Sequence, residues 1–293
     1  MVRLFCTDLA IAKGEPQEGM GALAERHLFI RWPKGKWRRP RYMAADMSEA
    51  LQGAMKASMG HGRYVGLVDS GDGPELELLS FPDGRRYVPA DQAEAAALII
   101  AWGEGQALPG AFFERQVILC CTDAKTDACC ARYGFPVYKA LAACADPIRF
   151  EVLQCTHIGG CHFAPSVIVM PNRDRYGRLT PADVPAFLDT LSRGQYFLPA
   201  FKGRNGLDEA RQTAEIAAMR WAEGHGYAQA AVQLNGTADV SVDDMDVRFT
   251  VQGIALSVAL TRTRFDVQGN CRDIEAEAFK PVGRWTVSCV SAR

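Results

Sequence analysis

Short apolar runs bounded by turn residues alternate along this chain with stretches in which apolar positions recur every three or four residues. These are the patterns of strands and of amphipathic helices. Residues 27–32 read as a strand, and from Asp46 to Ser58 the positions Met47, Leu51, Ala54 and Met55 fall on one helical face. Strands are expected at 63–68 and 76–81, separated by the turn sequence Ser70-Gly71-Asp72-Gly73-Pro74. An alanine-rich helix follows over 91–102.

The same order then recurs. Residues 115–120 read as a strand, 136–143 as part of a helix, 148–153 as a second strand and 166–170 as a third that stops at Pro171, with a brief further strand at Arg178-Leu179. Thr180 before Pro181 and Asp183 is a helix start, with a hydroxyl cap, a proline in the first turn and an early acid, and that helix runs to Leu191 near Gly194. Strand, helix, three strands, helix suits a thioredoxin-like layer, and both halves are expected to form one. After Gly203 a long helix over 207–224 carries Ala210, Ala214, Ile216, Ala217 and Trp221 on its apolar side. Alternation in 246–251, 255–260 and 285–288 then predicts antiparallel strands with one buried face. The expected fold class is α/β. Its expected domains are an N-terminal α/β domain over 1–110, a thioredoxin-like domain over 111–203, and a helix-plus-sheet module over 204–293 without concentrated nucleophiles or paired acids.

Composition narrows the function classes. The 293 residues are 48% hydrophobic and 23% charged, the profile of an ordinary soluble chain long enough for two or three compact domains. Its 33 Lys plus Arg balance 34 Asp plus Glu, so no overall field favours nucleic acid or a membrane surface. The apolar stretch at 95–102 is far short of the roughly 18 residues a membrane helix needs. The opening residues lack the apolar core of a secretory leader, and a cytoplasmic protein is expected. The segment Trp32-Pro33-Lys34-Gly35-Lys36-Trp37-Arg38-Arg39-Pro40 reads as a solvated surface loop, with docking of an acidic redox partner as the alternative. No G-x-G-x-x-G fingerprint and no Ser/His/Asp hydrolase signature is found.

Ten cysteines are many for such a chain, and seven of them lie between Cys120 and Cys161. Two strings concentrate the chemistry: Cys121-Thr122-Asp123-Ala124-Lys125-Thr126-Asp127-Ala128-Cys129-Cys130 and Cys155-Thr156-His157-Ile158-Gly159-Gly160-Cys161-His162. Each follows directly on an expected strand, so a sheet fixes its start while the loop is free to wrap a ligand. Thiolates and imidazoles are donors for zinc and iron-sulfur centres, and Gly159-Gly160 lets the backbone pass close to such a centre. A solitary buried cysteine is ordinarily a small hydrophobe, the reading given to Cys6, Cys120, Cys144, Cys271 and Cys289. A bound metal or cluster, structural thiols and a dithiol enzyme remain open at this point, although a compact C-x-x-C helix start is missing.

The two strings resemble those of the sucrase/ferredoxin-like family of thioredoxin-like 2Fe-2S proteins, with the pattern C-T-H-G-x-x-D-x-C-C-A-x-x-G-x-P, then C-S-H-x-G-G-H-x-F-A, then Y-G-R-L. Here the first part runs from Cys121-Thr122-Asp123 to Cys129-Cys130-Ala131, with Gly134 and Pro136 in place. Cys155-Thr156-His157-Ile158-Gly159-Gly160-Cys161-His162-Phe163-Ala164 matches the second, and Tyr176-Gly177-Arg178-Leu179 the third. Cys6, Gly14-Glu15-Pro16 and Lys202-Gly203-Arg204 extend the likeness to about two thirds of the chain. The resemblance implies a 2Fe-2S cluster with Cys121 and Cys130 on one iron and His157 and Cys161 on the other. Cys161 stands where the family often has histidine, and Asp123 stands where it has another. Cys129, Cys155 and His162 are left outside the implied ligand set, the last two in reserve. The implied activity is one-electron transfer by a carrier rather than a substrate-transforming enzyme. An unidentified redox protein or reductase is the expected partner, with no nucleic acid and no membrane. The alternatives are a structural zinc-binding interaction protein and a thiol oxidoreductase.

Overall fold

The computed structural model describes residues 3–21, 24–239 and 241–292. Helix α1 (Cys6–Ala12) is followed by strand β1 (Arg26–Arg31), helix α2 (Glu49–Ala57), strands β2 (Arg63–Val68), β3 (Leu78–Phe81) and β4 (Arg85–Tyr87), and helix α3 (Gln92–Gly103). After β5 (Ala111–Phe112) the order repeats as β6 (Gln116–Cys121), α4 (Ala128–Cys144), β7 (Phe150–Cys155), β8 (Ser166–Met170), β9 (Asp174–Gly177) and α5 (Val184–Ser192). The chain ends with β10 (Phe201–Gly203), α6 (Glu209–Gly224), β11 (Val232–Asp239), β12 (Asp244–Val251), β13 (Ile254–Val267), α7 (Cys271–Glu275) and β14 (Lys280–Ala292). Side chains cap the helices where the sequence offers them: Ser48 accepts from the Leu51 N–H at 3.2 Å, and Asp91 accepts from Ala93 and Glu94.

Both halves have the expected thioredoxin-like order. In each, the first two strands are parallel across a helical crossover and the third lies antiparallel on the other side of the first, giving β2-β1-β3-β4 and β7-β6-β8-β9. Val68 of β2 and Cys155 of β7 pair antiparallel, which joins the halves into one ten-stranded sheet. Side chains alternate between faces with period two. Ile118 and Cys120 face Val137, Leu141 and Phe187 of α4 and α5, whereas Val117, Leu119 and Cys121 face inward. Helices α2 and α3 cover the outer face of the first half, with Leu51, Met55, Ile99 and Trp102 over Leu28, Ile30, Val65 and Leu67. The two inner faces meet in one core, Phe29, Tyr64, Leu79 and Phe81 against Val117, Leu119, Leu153, Ile168 and Met170. Burial on both faces explains why these strands read as nearly continuous apolar runs.

Two elements differ from the sequence expectation. Helix α4 contains the expected 136–143 stretch but begins well before it, at Ala128, so that Pro136 lies inside it. Asp127 caps the earlier start by accepting from the Cys129 N–H at 2.8 Å, and burial of Cys129, Cys130, Gly134, Val137 and Leu141 along one side offsets the hydrogen bond that proline forfeits. Strand β9 is Asp174–Gly177, not 178–179. Its polar residues hide it from a search for alternation, and Arg178 has left the strand with φ +55°.

The C-terminal module lays α6 across a four-stranded antiparallel sheet, β11-β12-β13-β14. Ala210, Ala214, Ala217, Ala218 and Ala222 of α6 meet Val247, Phe249, Val251, Leu256, Val258 and Leu260. On its other side Ile216 and Met219 enter the core under α4 and α5. Close docking fixes a glycine: a Cβ on Gly203 of β10 would lie 2.1 Å from the Gln212 side-chain oxygen, which accepts from the Gly21 N–H at 2.9 Å. The β13–β14 hairpin is longer than its apolar alternation suggests, and its far end reaches back to the chain's start. There Lys13 Nζ donates to the Asp266 carbonyl at 2.6 Å, and Arg284 pairs with buried Glu15 at 2.8 Å. No helix among the described residues is long and apolar enough to cross a membrane.

The halves are also tied by buried charge. Arg31 bridges Glu77 of the first half and Glu151 of β7, the latter at 2.5 Å, while Arg86 contacts both carboxylates and Arg115 contacts Glu151 at 3.2 Å. Replacing Arg31 with methionine roughly keeps the volume but leaves buried Glu77 with Arg86 alone and Glu151 with Arg86 and Arg115. Broken buried pairs cost about 3–5 kcal/mol, and Arg86 places this one toward the lower end. Urea unfolding of Arg31→Met measures the loss, and a change below about 1 kcal/mol, the range of a surface pair, would show that the network does not hold the halves together.

Candidate metal centre

The parallel register of β6 and β7 puts Cys121 opposite Cys155, so both strands end at the same level and their loops emerge side by side. Asp123 organises this junction. One carboxylate oxygen accepts from the Lys125 and Thr126 N–H groups, and the other from the His157 N–H at 3.3 Å, so the residue standing in place of a family histidine links the two loops. The first loop closes at Asp127, and the first turn of α4 then presents Cys129 and Cys130. The second loop turns at Gly159 and Gly160, with φ +92° and +70°, values that favour glycine, and returns Cys161 beside His157. The first half holds this loop from outside: Tyr64 donates to the His157 carbonyl at 2.7 Å and the Thr156 N–H to the Leu67 carbonyl at 2.8 Å.

These loops bring Cys121, Cys130, His157 and Cys161 together. The donor atoms of Cys121, Cys130 and His157 all lie within 4.8 Å of one another. His157 Nδ1 is 3.7 Å from Cys130 Sγ and 3.6 Å from Cys161 Sγ, and its Nε2 is 3.8 Å from Cys161. The three thiols are buried, and the imidazole is half-buried. Hydrogen bonding with Cys130 outweighs burial and, with His157, carries the Cys121 thiol down to about 5. Cys130 moves well above the usual thiol range through the same contact with Cys121, then Cys161 and burial. Burial opposes charge on His157, yet its contacts with Cys121 and Cys161 prevail and raise it to about 10.

The neighbouring candidates point elsewhere. Cys155 is buried in the inner core beneath the site. His162 turns away, its Nδ1 3.1 Å from the Gly269 carbonyl and its Nε2 3.4 Å from Glu15. Cys129, adjacent to Cys130, turns toward Cys6 and Cys271, a grouping that sequence spacing does not reveal. Cys120 is an isolated buried thiol donating to the Gly134 carbonyl, whereas Cys144 and Cys289 are exposed. Gly134 itself has a steric role: a Cβ there would sit 2.0 Å from the Cys121 carbonyl oxygen, so only glycine lets α4 run against the end of β6. The basic, aromatic segment after β1 is not a free loop. Trp37 is buried, and Lys34 Nζ donates to Thr122 Oγ1 at 2.8 Å and to Gln154 at 2.5 Å, closing over the first cysteine string. Arg39, Arg41, Tyr42, Met59 and Thr126 line a cavity of about 490 Å³ with His157 in its wall.

A thioredoxin-like α/β protein with three thiols and one imidazole gathered at the end of its parallel strand pair is defined as a metal-capable, cysteine-rich member of its fold class. The chain belongs to the sucrase/ferredoxin-like family, whose profile matches residues 18–203. Among solved structures, a thioredoxin-like [2Fe-2S] ferredoxin from Aquifex aeolicus is 19% identical over 33% of this chain and 97% of its own, with a TM-score of 0.30. The wild-type crystal structure of the thioredoxin-like [2Fe-2S] ferredoxin from the same organism is 20% identical over 30% of this chain and 97% of its own, with a TM-score of 0.28. No curated protein matches the chain.

Two outcomes follow from this geometry. Gly134→Ala should push α4 off β6, separate Cys130 from Cys121 and strongly reduce bound metal. Gly53→Ala in α2, where an added methyl meets nothing, should leave metal content unchanged and stability equal or higher by up to about 1 kcal/mol. Metal analysis of both variants decides, and full loading of Gly134→Ala would remove the steric argument. In the metal-free protein near neutral pH, Cys121 is already a thiolate while Cys130 and His157 hold protons. Ligation expels those protons, so affinity for a probe such as Co²⁺ should rise with pH through the neutral range. Calorimetry in buffers of different ionisation enthalpy counts the protons, and a release of none would contradict the assigned states.

Proposed function

We propose that this protein holds a 2Fe-2S cluster through Cys121, Cys130, His157 and Cys161 and carries single electrons between partner proteins. The convergence of these four donors at the ends of two parallel strands carries the reading. The donor chemistry fits, because soft thiolates with one imidazole make a mixed ligand set, supplied here as one pair from each loop. The cluster, when bound, supplies a centre that gains and loses one electron. The chain's own residues do the rest. Buried Cys121, Cys130 and Cys161 exclude water, and His157 stands in the wall of the open cavity where a partner can approach closely. Arg39 and Arg41 at that cavity suit an acidic redox protein or reductase, and a cytoplasmic setting suits so many free thiols. A single tetrahedral zinc ion is the second reading, since separations of 3.6–3.8 Å between donors also match one shell.

Gently purified protein should be red-brown, with about two irons and two acid-labile sulfides per chain. A folded, colourless protein that takes up zinc but no sulfide after anaerobic reconstitution would make the zinc reading the correct one. A neutral imidazole leaves the site one negative charge short of four thiolates, so His157→Cys should stabilise the ferric state and lower the midpoint potential by on the order of 100 mV. The second ring nitrogen exchanges a proton with water, and reduction of the wild type should become proton-coupled over part of the pH range. Voltammetry over a pH series, on samples matched for iron and sulfide, measures both. An intact variant with unchanged potential and pH response would exclude His157 as a ligand.

A further inference from the structure

Cys129 belongs to a second group of donors, separate from the first. Its Sγ lies 3.4 Å from Cys6 Sγ and 3.3 Å from Cys271 Sγ, and the last two are 3.8 Å apart. All three thiols are buried, and they and a carboxylate oxygen of buried Asp127 lie within 4.8 Å of one another. The four residues come from remote parts of the chain: the start of α1, the first turn of α4 with its cap, and the short helix α7 at the far end of the β13–β14 hairpin.

We propose that Cys6, Cys129, Cys271 and Asp127 form a structural zinc site that clamps the N-terminal helix and the C-terminal hairpin onto the layer carrying Cys130. A tetrahedral zinc with Zn–S bonds near 2.3 Å places its sulfurs about 3.8 Å apart, close to the spacing these thiols already have. Three mutually adjacent thiols suit one shared ion better than a disulfide, which needs a bond near 2.05 Å and leaves the third sulfur without a role. Asp127 is held to face the thiols by its two hydrogen bonds, accepting from the Cys129 N–H and the Cys271 N–H at 2.8 Å each. Each carboxylate oxygen keeps a lone pair for a metal. The three thiols belong to a buried core against which the partly buried Phe5, Tyr133 and Ile274 pack, with the Phe5 and Tyr133 rings 5.7 Å apart. Four protein donors close the shell, and a closed shell marks a structural ion rather than a catalytic one. Binding exchanges thiol protons for Zn²⁺ and involves no electron transfer.

The test uses the full chain purified with a thiol reductant and no chelator. His157→Ala removes a ligand of the first group, and in that background about one zinc per chain should remain. Cys271→Ala and Cys6→Ala should lose it while keeping the visible spectrum and iron content of the wild type. Wild-type protein gives a reading that does not depend on how variants fold: Cys6, Cys129 and Cys271 should resist alkylation by N-ethylmaleimide until a strong chelator is added, as peptide mass spectrometry reports. Substitution with Co²⁺ should add thiolate-to-metal charge-transfer bands and tetrahedral visible bands. Wild-type protein that takes up no zinc beyond that of Cys271→Ala, thiols whose alkylation ignores the chelator, or a disulfide joining Cys129 to Cys6 or Cys271 in the purified chain would each overturn the proposal.

Discussion

The parallel pairing of β6 with β7 is the constraint on which the site depends. Cys121 stands opposite Cys155 in that ladder, and a slip of one residue would turn Cys121 from the inner face to the helical face. Register is secured by two-sided burial, because Ile118 and Cys120 belong to the core under α4 and α5 while Val117 and Leu119 belong to the core between the halves. With both strand ends fixed at one level, Asp123 needs only a single side chain to tie the loops together.

The first half shares the strand order of the second but contains no cysteine between Cys6 and Cys120. Its contribution is to complete the other half's site. Lys34 and buried Trp37 cover the first loop, and Tyr64 and Leu67 hold the second. Its basic residues Arg39 and Arg41 shape the entrance to His157. The inner core shared by the two halves therefore joins stability to the site, since Phe29 and Leu153 are buried in the same cluster as Cys121, Cys130 and Cys161.

The C-terminal module reaches the same region from the opposite side. Helix α6 seats the sheet against β10, and the long hairpin brings α7 to Asp127, so one carboxylate caps α4 and receives the Cys271 N–H. Adjacent residues Cys129 and Cys130 thus serve two different groups, and the rotation of about 100° per residue in a helix separates them.

The sequence by itself determined the local elements and the concentration of chemistry. Period-two and three-to-four-residue patterns locate most strands and helices because those periods follow from backbone geometry, and Thr180 with Asp183 marks a capping box that forms. The strings from Cys121 and Cys155 stand out because cysteine, histidine and paired glycine seldom crowd together after strands. Short or polar elements such as β4, β5, β9 and β10 carry no such period and acquire their conformation from neighbouring strands. The course of α4 through Pro136 was likewise decided by packing. Only the tertiary structure decided that Cys6 and Cys271, 265 positions apart, meet Cys129. Pattern along a chain reports on backbone hydrogen bonding within a few residues, whereas the meeting of distant side chains depends on how whole layers dock.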